Sequence, residues 1–182
     1  EFDEHGVCNH CSRYDRLVQR HILPAGEREA ALSRLGEKIR KAGKGRDYDC
    51  VVGVSGGVDS TYVAYTVKKL GLRPLAVHLD NGWDSELAVK NIENVLKTLG
   101  IDLYTHVIDW EEFRDLQLSF LRASTPDSEI PTDHAIFALM YQMARKTGVR
   151  YVIAGFNVRT ESHHPWAWSQ GYLDYAYIRT VH

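Results

Sequence analysis

One stretch constrains the fold of this chain more than any other. The apolar run Cys50-Val51-Val52-Gly53-Val54 passes directly into Ser55-Gly56-Gly57-Val58-Asp59-Ser60, and a helical pattern begins at once with Thr61-Tyr62-Val63-Ala64-Tyr65. A strand that turns through glycines into a helix start leaves several backbone N–H groups unpaired and aimed one way, at the positive end of the helix dipole. Such a turn is an anion cradle. Glycine at positions 56 and 57 permits positive φ and removes the Cβ atoms that would keep a phosphate off the backbone. Ser55, Ser60 and Thr61 add hydroxyl donors, and Val58 lies within the turn. Asp59 has the wrong sign for phosphate unless it holds a divalent cation or caps the helix. A glycine pair alone is equally compatible with an ordinary strand-to-helix turn capped by Asp59 or Ser60; the full string after an apolar strand is far more specific.

Around this turn, short apolar runs alternate with amphipathic helical patterns. Strands are expected at 48–54, 74–79, 103–108 and 151–154, and helices at 27–41, 59–70, 85–99, 110–122 and 132–147. Strands apolar on both faces and joined by helices read as a parallel sheet covered on both sides. The expected fold is therefore an α/β, Rossmann-like, doubly wound parallel sheet of about five strands, with its ligand at the carboxyl ends of the strands. Residues 1–24 show no sustained period and read as an appendage; residues 25–182 read as the domain. The first residue is Glu1, and 174–182 reads as a helix still in progress, so both ends look cut.

The 182 residues are 44% hydrophobic and 25% charged, which suits one buried core. The 22 basic and 24 acidic residues alternate rather than cluster, giving a formal charge of -2 and no electrostatic footprint for nucleic acid. No stretch approaches the roughly 20 apolar residues that span a bilayer, and these residues include no basic-then-apolar leader pattern. Three cysteines, an odd number, cannot form a closed disulfide set and suit a reducing compartment, so the expectation is a cytoplasmic protein.

Other segments gather polar residues where an α/β site would lie. The second strand ends in Val77-His78-Leu79-Asp80-Asn81-Gly82-Trp83-Asp84-Ser85, beside the first loop. Pro131-Thr132-Asp133-His134 precedes an apolar helix and could cap it or face a ligand. The last strand opens into Ala154-Gly155-Phe156-Asn157-Val158-Arg159-Thr160-Glu161, with the character of an active-site loop. There Gly155 permits close backbone approach, Asn157 can donate to a phosphate or substrate oxygen, Arg159 can offset negative charge, and Glu161 can bind a metal or handle a proton. His163 and His164 are neighbours in an extended segment and point apart, which disfavours a shared metal ion. Trp166, Trp168, Tyr172, Tyr175 and Tyr177 suit packing or a wall for a sugar ring.

Cys8-Asn9-His10-Cys11 has the spacing of half a zinc knuckle. Within the chain only His5, His10 and His21 could add ligands, so structural Zn²⁺, an inert pair, and redox or sulfur chemistry stay open. Cys50, inside the first strand, reads as a small buried hydrophobe.

Ser-Gly-Gly-x-Asp-Ser resembles the PP-loop of the ATP pyrophosphatase superfamily, which includes GMP synthetase, asparagine synthetase, NAD synthetase and tRNA thiolation enzymes. The lysine of a Walker-type loop is missing. The resemblance implies ATP and Mg²⁺, cleavage between the α- and β-phosphates, and an adenylylated intermediate. It also implies Asp59 on the metal, and adenine near Val77, His78 and Leu79 with Asp80 and Asn81 facing the site. The wider pattern, with Gly6-Val7-Cys8-x-x-Cys11 and Tyr14, Tyr48-Asp49-Cys50, Asp80-Asn81-Gly82-Trp83, Ala154-Gly155-x-Asn157 and Thr160-Glu161, is similar to the N-acetyl sugar amidotransferases of surface-polysaccharide synthesis.

That likeness implies conversion of an acetamido group on an N-acetylated sugar or nucleotide sugar into an acetamidino group. Asp59, Asp80, Asn157 and Glu161 would be catalytic; Asn81, Trp83, Thr132, Asp133, His134, Arg159 and Thr160 would face the substrate. Ammonia would come from a glutaminase subunit, and a homo-oligomer stays open. The rivals are a PP-loop sulfurtransferase acting on tRNA or a cofactor precursor, and a non-catalytic nucleotide-binding module.

Overall fold

The computed structural model describes residues 1–161 and 171–182. His163, His164, Trp166 and Trp168 lie outside the described residues. Four parallel strands form the sheet: β1 (Cys50–Gly53), β2 (Pro74–Asp80), β3 (Asp102–Val107) and β4 (Val152–Ile153), in the order β3-β2-β1-β4. The chain winds outward from β1 through β2 to β3, then returns to place β4 on the other side of β1. The order reverses between β1 and β4, which opens a crevice beyond their carboxyl ends.

Alternation along the strands explains the two covered faces. Cys50, Val52 and Ala76 point to one side, where they pack with Ala64 and Val67 of α3 (Val58–Lys69), Ile92 and Leu96 of α4 (Glu86–Leu99), and Ile39 of α2 (Ala25–Ala42). Val51, Leu75, Val77 and Leu79 point to the other, against Leu139, Met140, Met143 and Ala144 of α6 (Ile130–Thr147). α5 (Trp110–Arg122) and the short α8 (Tyr175–Val181) meet α6 in a smaller cluster of Phe120, Ile130 and Ile178.

The expected layers are present, with two differences. The sheet of the described residues has four strands rather than about five, and β3 is an edge strand whose Leu103 and Val107 are exposed instead of covered on both faces. The segment read as an appendage without a sustained period contains α1 (Asn9–His21), which packs on α7 (Val158–Glu161). Its half-buried Tyr14, Leu17 and Val18 share one face with the C-cap Ile22, but intervening charges hide that period and a cysteine stands in place of a usual cap.

At the opposite end of the sheet from the crevice, one ion pair ties the start of β1 to the start of β2. Asp49 is 1% exposed and takes Arg73 N–H at 2.8 Å and Arg73 Nη2–H at 2.8 Å. Burial works to raise the Asp49 carboxyl, yet the Arg73 side-chain and backbone bonds outweigh it and hold the group below the usual range. Gly43 packs so closely on Asp49 that a Cβ there would overlap the carboxylate.

Asp49→Asn should therefore destabilise the fold at pH 7 by about 2 kcal/mol, less than a fully buried pair because Arg73 stays half in solvent. A depressed carboxyl stabilises above its unfolded pKa and loses that contribution as pH falls through its folded one. Urea denaturation should show the wild type and the variant converging once the pH drops below the ordinary aspartate range.

Candidate functional site

The turn after β1 leads into α3, whose N-cap is Gly57 and supplies no side-chain cap. In contrast, Ser85, Asp109 and Asp174 cap α4, α5 and α8 through side-chain oxygens. The first-turn amides of α3 therefore lack the side-chain partner that these helices have, at the positive end of the dipole. Gly56 sits at φ +73 and lies against the backbone of Ala88, where an added Cβ would overlap the carbonyl. Asn91 Nδ2–H donates to the Gly56 carbonyl at 3.3 Å and anchors the turn to α4.

Ser60 is buried and braces the loop from within. Its Oγ accepts Ser55 N–H at 3.2 Å, lies 3.1 Å from Ser55 Oγ, and donates to the Gly57 carbonyl at 3.3 Å. Gly155, at the exit of β4, packs against the backbone of Asp59 and Ser60, with Ser60 N only 2.9 Å from where a Cβ would stand. Close approach at Gly155 is thus an approach to the start of α3.

Three strand exits and α6 enclose a cavity of about 370 Å³. Ser55 and Ser60 line it from the first loop. Val77, His78, Leu79, Asn81 and Trp83 come from the end of β2, Thr132 and Asp133 from α6, and Gly155 from the end of β4. His78 is buried; its Nδ1–H donates to the Val54 carbonyl at 3.1 Å, while Nε2 lies 3.4 Å from Asp84 Oδ2. In the wall, the buried Thr132 Oγ1 has no hydrogen-bond partner, and the buried Asp84 Oδ2 has only the His78 Nε2 contact. An unsatisfied buried hydroxyl costs on the order of 1–3 kcal/mol, which makes the Thr132 wall a place where a polar partner would be favoured.

The charge in the cavity is uneven. Burial pushes the Asp133 carboxyl up to about 6, and the negative charges of Asp127, Glu129 and Glu161 add to the shift. A polyphosphate would be repelled from this end and drawn to the α3 end.

Other expected site residues stand elsewhere. Asp59 is exposed on the first turn of α3, outside the cavity lining. Asp80 Oδ1 accepts Gly82 N–H at 3.0 Å, an Asx turn, and Asn81, although it lines the cavity, spends its Oδ1 on Trp83 N–H at 3.1 Å. Asn157 and Glu161 bond reciprocally at the start of α7: Asn157 Oδ1 accepts Arg159 N–H and Glu161 Oε2 accepts Asn157 N–H, both at 3.0 Å. Thr160 is exposed on α7, and Arg159 faces α1. His134 Nδ1 lies 2.7 Å from the Tyr172 carbonyl and ties α6 to the chain leading into α8. Tyr172 stacks on Phe137, and Tyr177 meets Phe120 edge-on, so both pack within the domain.

Gly56, Gly57, Val58 and Thr61 line a different and larger groove, about 660 Å³, between α3 and α4 with Tyr62, Tyr65 and Leu99. No carboxylate, histidine or basic side chain lines it. The strand-end cavity, with its convergent buried polar atoms at the reversal of strand order, is the better candidate.

Asp84, Phe137, Met140 and Phe156 line this cavity without having been singled out by sequence. The α6 members could have been found, because 133, 137 and 140 follow helical spacing from the site-facing start of α6. Among the described residues no group of three or more His, Cys, Asp or Glu side chains converges as a metal site. Cys8 and Cys11 supply two of the four ligands a structural zinc needs, and among the described residues no third converges on them. Among the described residues no helix is long and apolar enough to cross a membrane.

Residues 29–131 match the NAD synthase family. Among curated proteins, the chain is 42% identical over 76 residues to a glutamine-hydrolyzing GMP synthase from Pyrobaculum aerophilum, covering 41% of the chain and 15% of that protein. It is 31% identical over 156 residues to a tRNA-specific 2-thiouridylase from Mesomycoplasma hyopneumoniae, covering 70% of the chain and 41% of that protein. The chain therefore spans less than half the length of either relative. Among solved structures, NMN synthetase from Francisella tularensis superposes with a TM-score of 0.54 at 20% identity, over 74% of the chain and 56% of that protein. The NH3-dependent NAD synthetase from Campylobacter jejuni gives 0.52 at 16% identity, over 71% and 56%. These structural likenesses establish the α/β fold.

Proposed function

The chain belongs to the NAD synthase family, and on that footing we propose that it cleaves ATP to AMP and pyrophosphate by adenylylating a substrate oxygen, which ammonia then displaces. The observation that carries this reading is the α3 start, without a side-chain cap, beside a strand-end cavity whose wall holds the unpartnered Thr132 hydroxyl. First-turn amides of α3 would hold the pyrophosphate, with Gly57 keeping a Cβ atom out of its way and Gly56 letting the turn pack against α4. The walls at Val77, His78 and Leu79 would flank the adenine. Asp133, repelling phosphate, would accept hydrogen bonds from hydroxyl or amide N–H groups at the far end.

Asp59 offers a hard oxygen beside the turn and fits Mg²⁺, which commonly takes one or two protein carboxylates plus substrate phosphates. Bound there, Mg²⁺ would neutralise charge developing on the pyrophosphate.

The acceptor we infer is the acetamido group of an N-acetylated sugar or nucleotide sugar, in surface-polysaccharide synthesis. An amide carbon is a poor electrophile because its oxygen leaves poorly. Attack of that oxygen on the α-phosphorus expels pyrophosphate; ammonia then adds to the carbon, and AMP departs carrying the oxygen. One oxygen is exchanged for NH, giving the acetamidino group. Ammonia would come from a glutaminase partner. Cys50 is no candidate for that chemistry, since burial pushes its thiol up to about 12.

Thiolation is the second reading, favoured by the 31% identity over 156 residues to a tRNA-specific 2-thiouridylase. One assay separates them. With ATP, Mg²⁺, ammonium and a panel of N-acetylated nucleotide sugars, the intact protein should release pyrophosphate and yield a product in which NH replaces oxygen. Turnover that requires sulfide instead would establish thiolation, and absence of pyrophosphate under both conditions would overturn adenylylation.

A further inference from the structure

Cys8, just before α1, and Cys11, in its first turn, hold their sulfurs 3.3 Å apart. Cys8 takes the capping position, its Sγ accepting Cys11 N–H at 3.3 Å. Sulfur is a weak acceptor, and Ser, Thr, Asp and Asn are the preferred caps, so capping alone does not account for two thiols here. A disulfide needs an S–S distance of about 2.05 Å, so closure asks for a movement of little more than 1 Å, within reach of side-chain rotation.

The pair is asymmetric. The N–H and the thiol of Cys11 both face the Cys8 sulfur and hold Cys8 below the ordinary thiol range, whereas Cys11, facing that sulfur, is pushed up. A nucleophile and a resolving thiol need this difference. Access is open on the Cys11 side. Cys11 is exposed and lines a hollow of about 400 Å³ with His10, Tyr14, Asp15 and Arg159. Arg159 belongs to α7, which follows the β4 exit whose Gly155 and Phe156 line the candidate site. Cys50, by contrast, is buried in β1 and inert.

We propose that Cys8 and Cys11 form a redox-active dithiol that undergoes exchange with disulfide oxidants of the glutathione type, with Cys8 as the attacking sulfur and the hollow beside Cys11 as the entry side. The Cys8 thiolate attacks one sulfur of the oxidant and expels the first thiolate. Cys11 gives its proton to solvent, attacks the Cys8 sulfur and expels the second. The protein pair loses two electrons and two protons, and the oxidant gains the two electrons.

The test uses the intact protein in buffers of graded glutathione disulfide to glutathione ratio, followed by acid quench, thiol labelling and peptide mass analysis. The expected result is an intramolecular Cys8–Cys11 bond that forms and reverses with the ratio while Cys50 remains a free thiol. Cys11→Ser should trap glutathione on Cys8, and Cys8→Ser should react roughly tenfold more slowly at its remaining Cys11. Two reduced thiols under oxidising buffer, equal reactivity of the two single variants, or zinc retained stoichiometrically and shielding both sulfurs would each overturn the assignment.

Discussion

Gly57→Ala should leave the protein folded and abolish most of its pyrophosphate release, whereas Gly56→Ala should damage both. The two glycines are adjacent, but the fold asks different things of them. Gly56 has φ +73 and abuts the Ala88 backbone, which cannot rotate aside. Alanine there combines left-handed strain with overpacking, together about 3 kcal/mol. Gly57 has φ -80, and a Cβ on it would meet only Ser55 Oγ at 3.4 Å, an ordinary contact. Its replacement should change stability by no more than about 0.5 kcal/mol.

What an alanine at 57 does obstruct is the space in front of the uncapped start of α3. If a polyphosphate lies there, pyrophosphate release should fall by about 100-fold, the scale of losing one well-placed backbone donor. Thermal melts of both variants beside ATP-dependent pyrophosphate assays give the answer. A Gly57→Ala protein with wild-type turnover would place the phosphates elsewhere and remove the basis for adenylylation at this turn.

The contrast between these glycines also shows what was legible in the sequence. The strand, the glycine turn and the helix after it could be read because each carries a local signature, and the position of the cavity followed from topology alone. Ser55, Val77, His78, Thr132 and Gly155 meet because every strand of a parallel sheet sends its carboxyl end to the same side. Sequence could not show that Gly56 is demanded by α4 and Gly57 is not, since that depends on Ala88, more than thirty residues away. Nor could it show that Asp80, Asn157 and Glu161 spend side-chain oxygens on backbone N–H groups of their own segments. Short polar side chains make such local bonds readily, and composition looks the same whether they do so or face a ligand. Asp84 and Phe156 stayed hidden because loop side chains have no period to betray their direction, and α1 because its apolar face is narrow and threaded with charge.

The strongest conflict between stability and function lies at Asp133, where Asp133→Asn should make the protein more stable near pH 7.5 and less active. Burial and three nearby carboxylates lift this group to about 6, above the unfolded value of about 3.9. Between those values the folded protein keeps a proton that the unfolded chain releases, so stability declines as pH rises through the window and stays low above it. The full difference corresponds to up to about 3 kcal/mol, and partial contact with water reduces the expectation to about 2 kcal/mol. Asparagine carries no charge and should recover that amount at pH 7.5, with the two proteins converging near pH 4 in urea denaturation. A residue held at such a cost in a cavity wall beside the unpartnered Thr132 hydroxyl is kept for what its charge does to a ligand. Pyrophosphate release by the asparagine variant should therefore fall by about tenfold or more, as expected when a charged acceptor is lost. A variant that gained stability and kept its turnover would reduce Asp133 to a buried liability and move substrate recognition to another wall of the cavity.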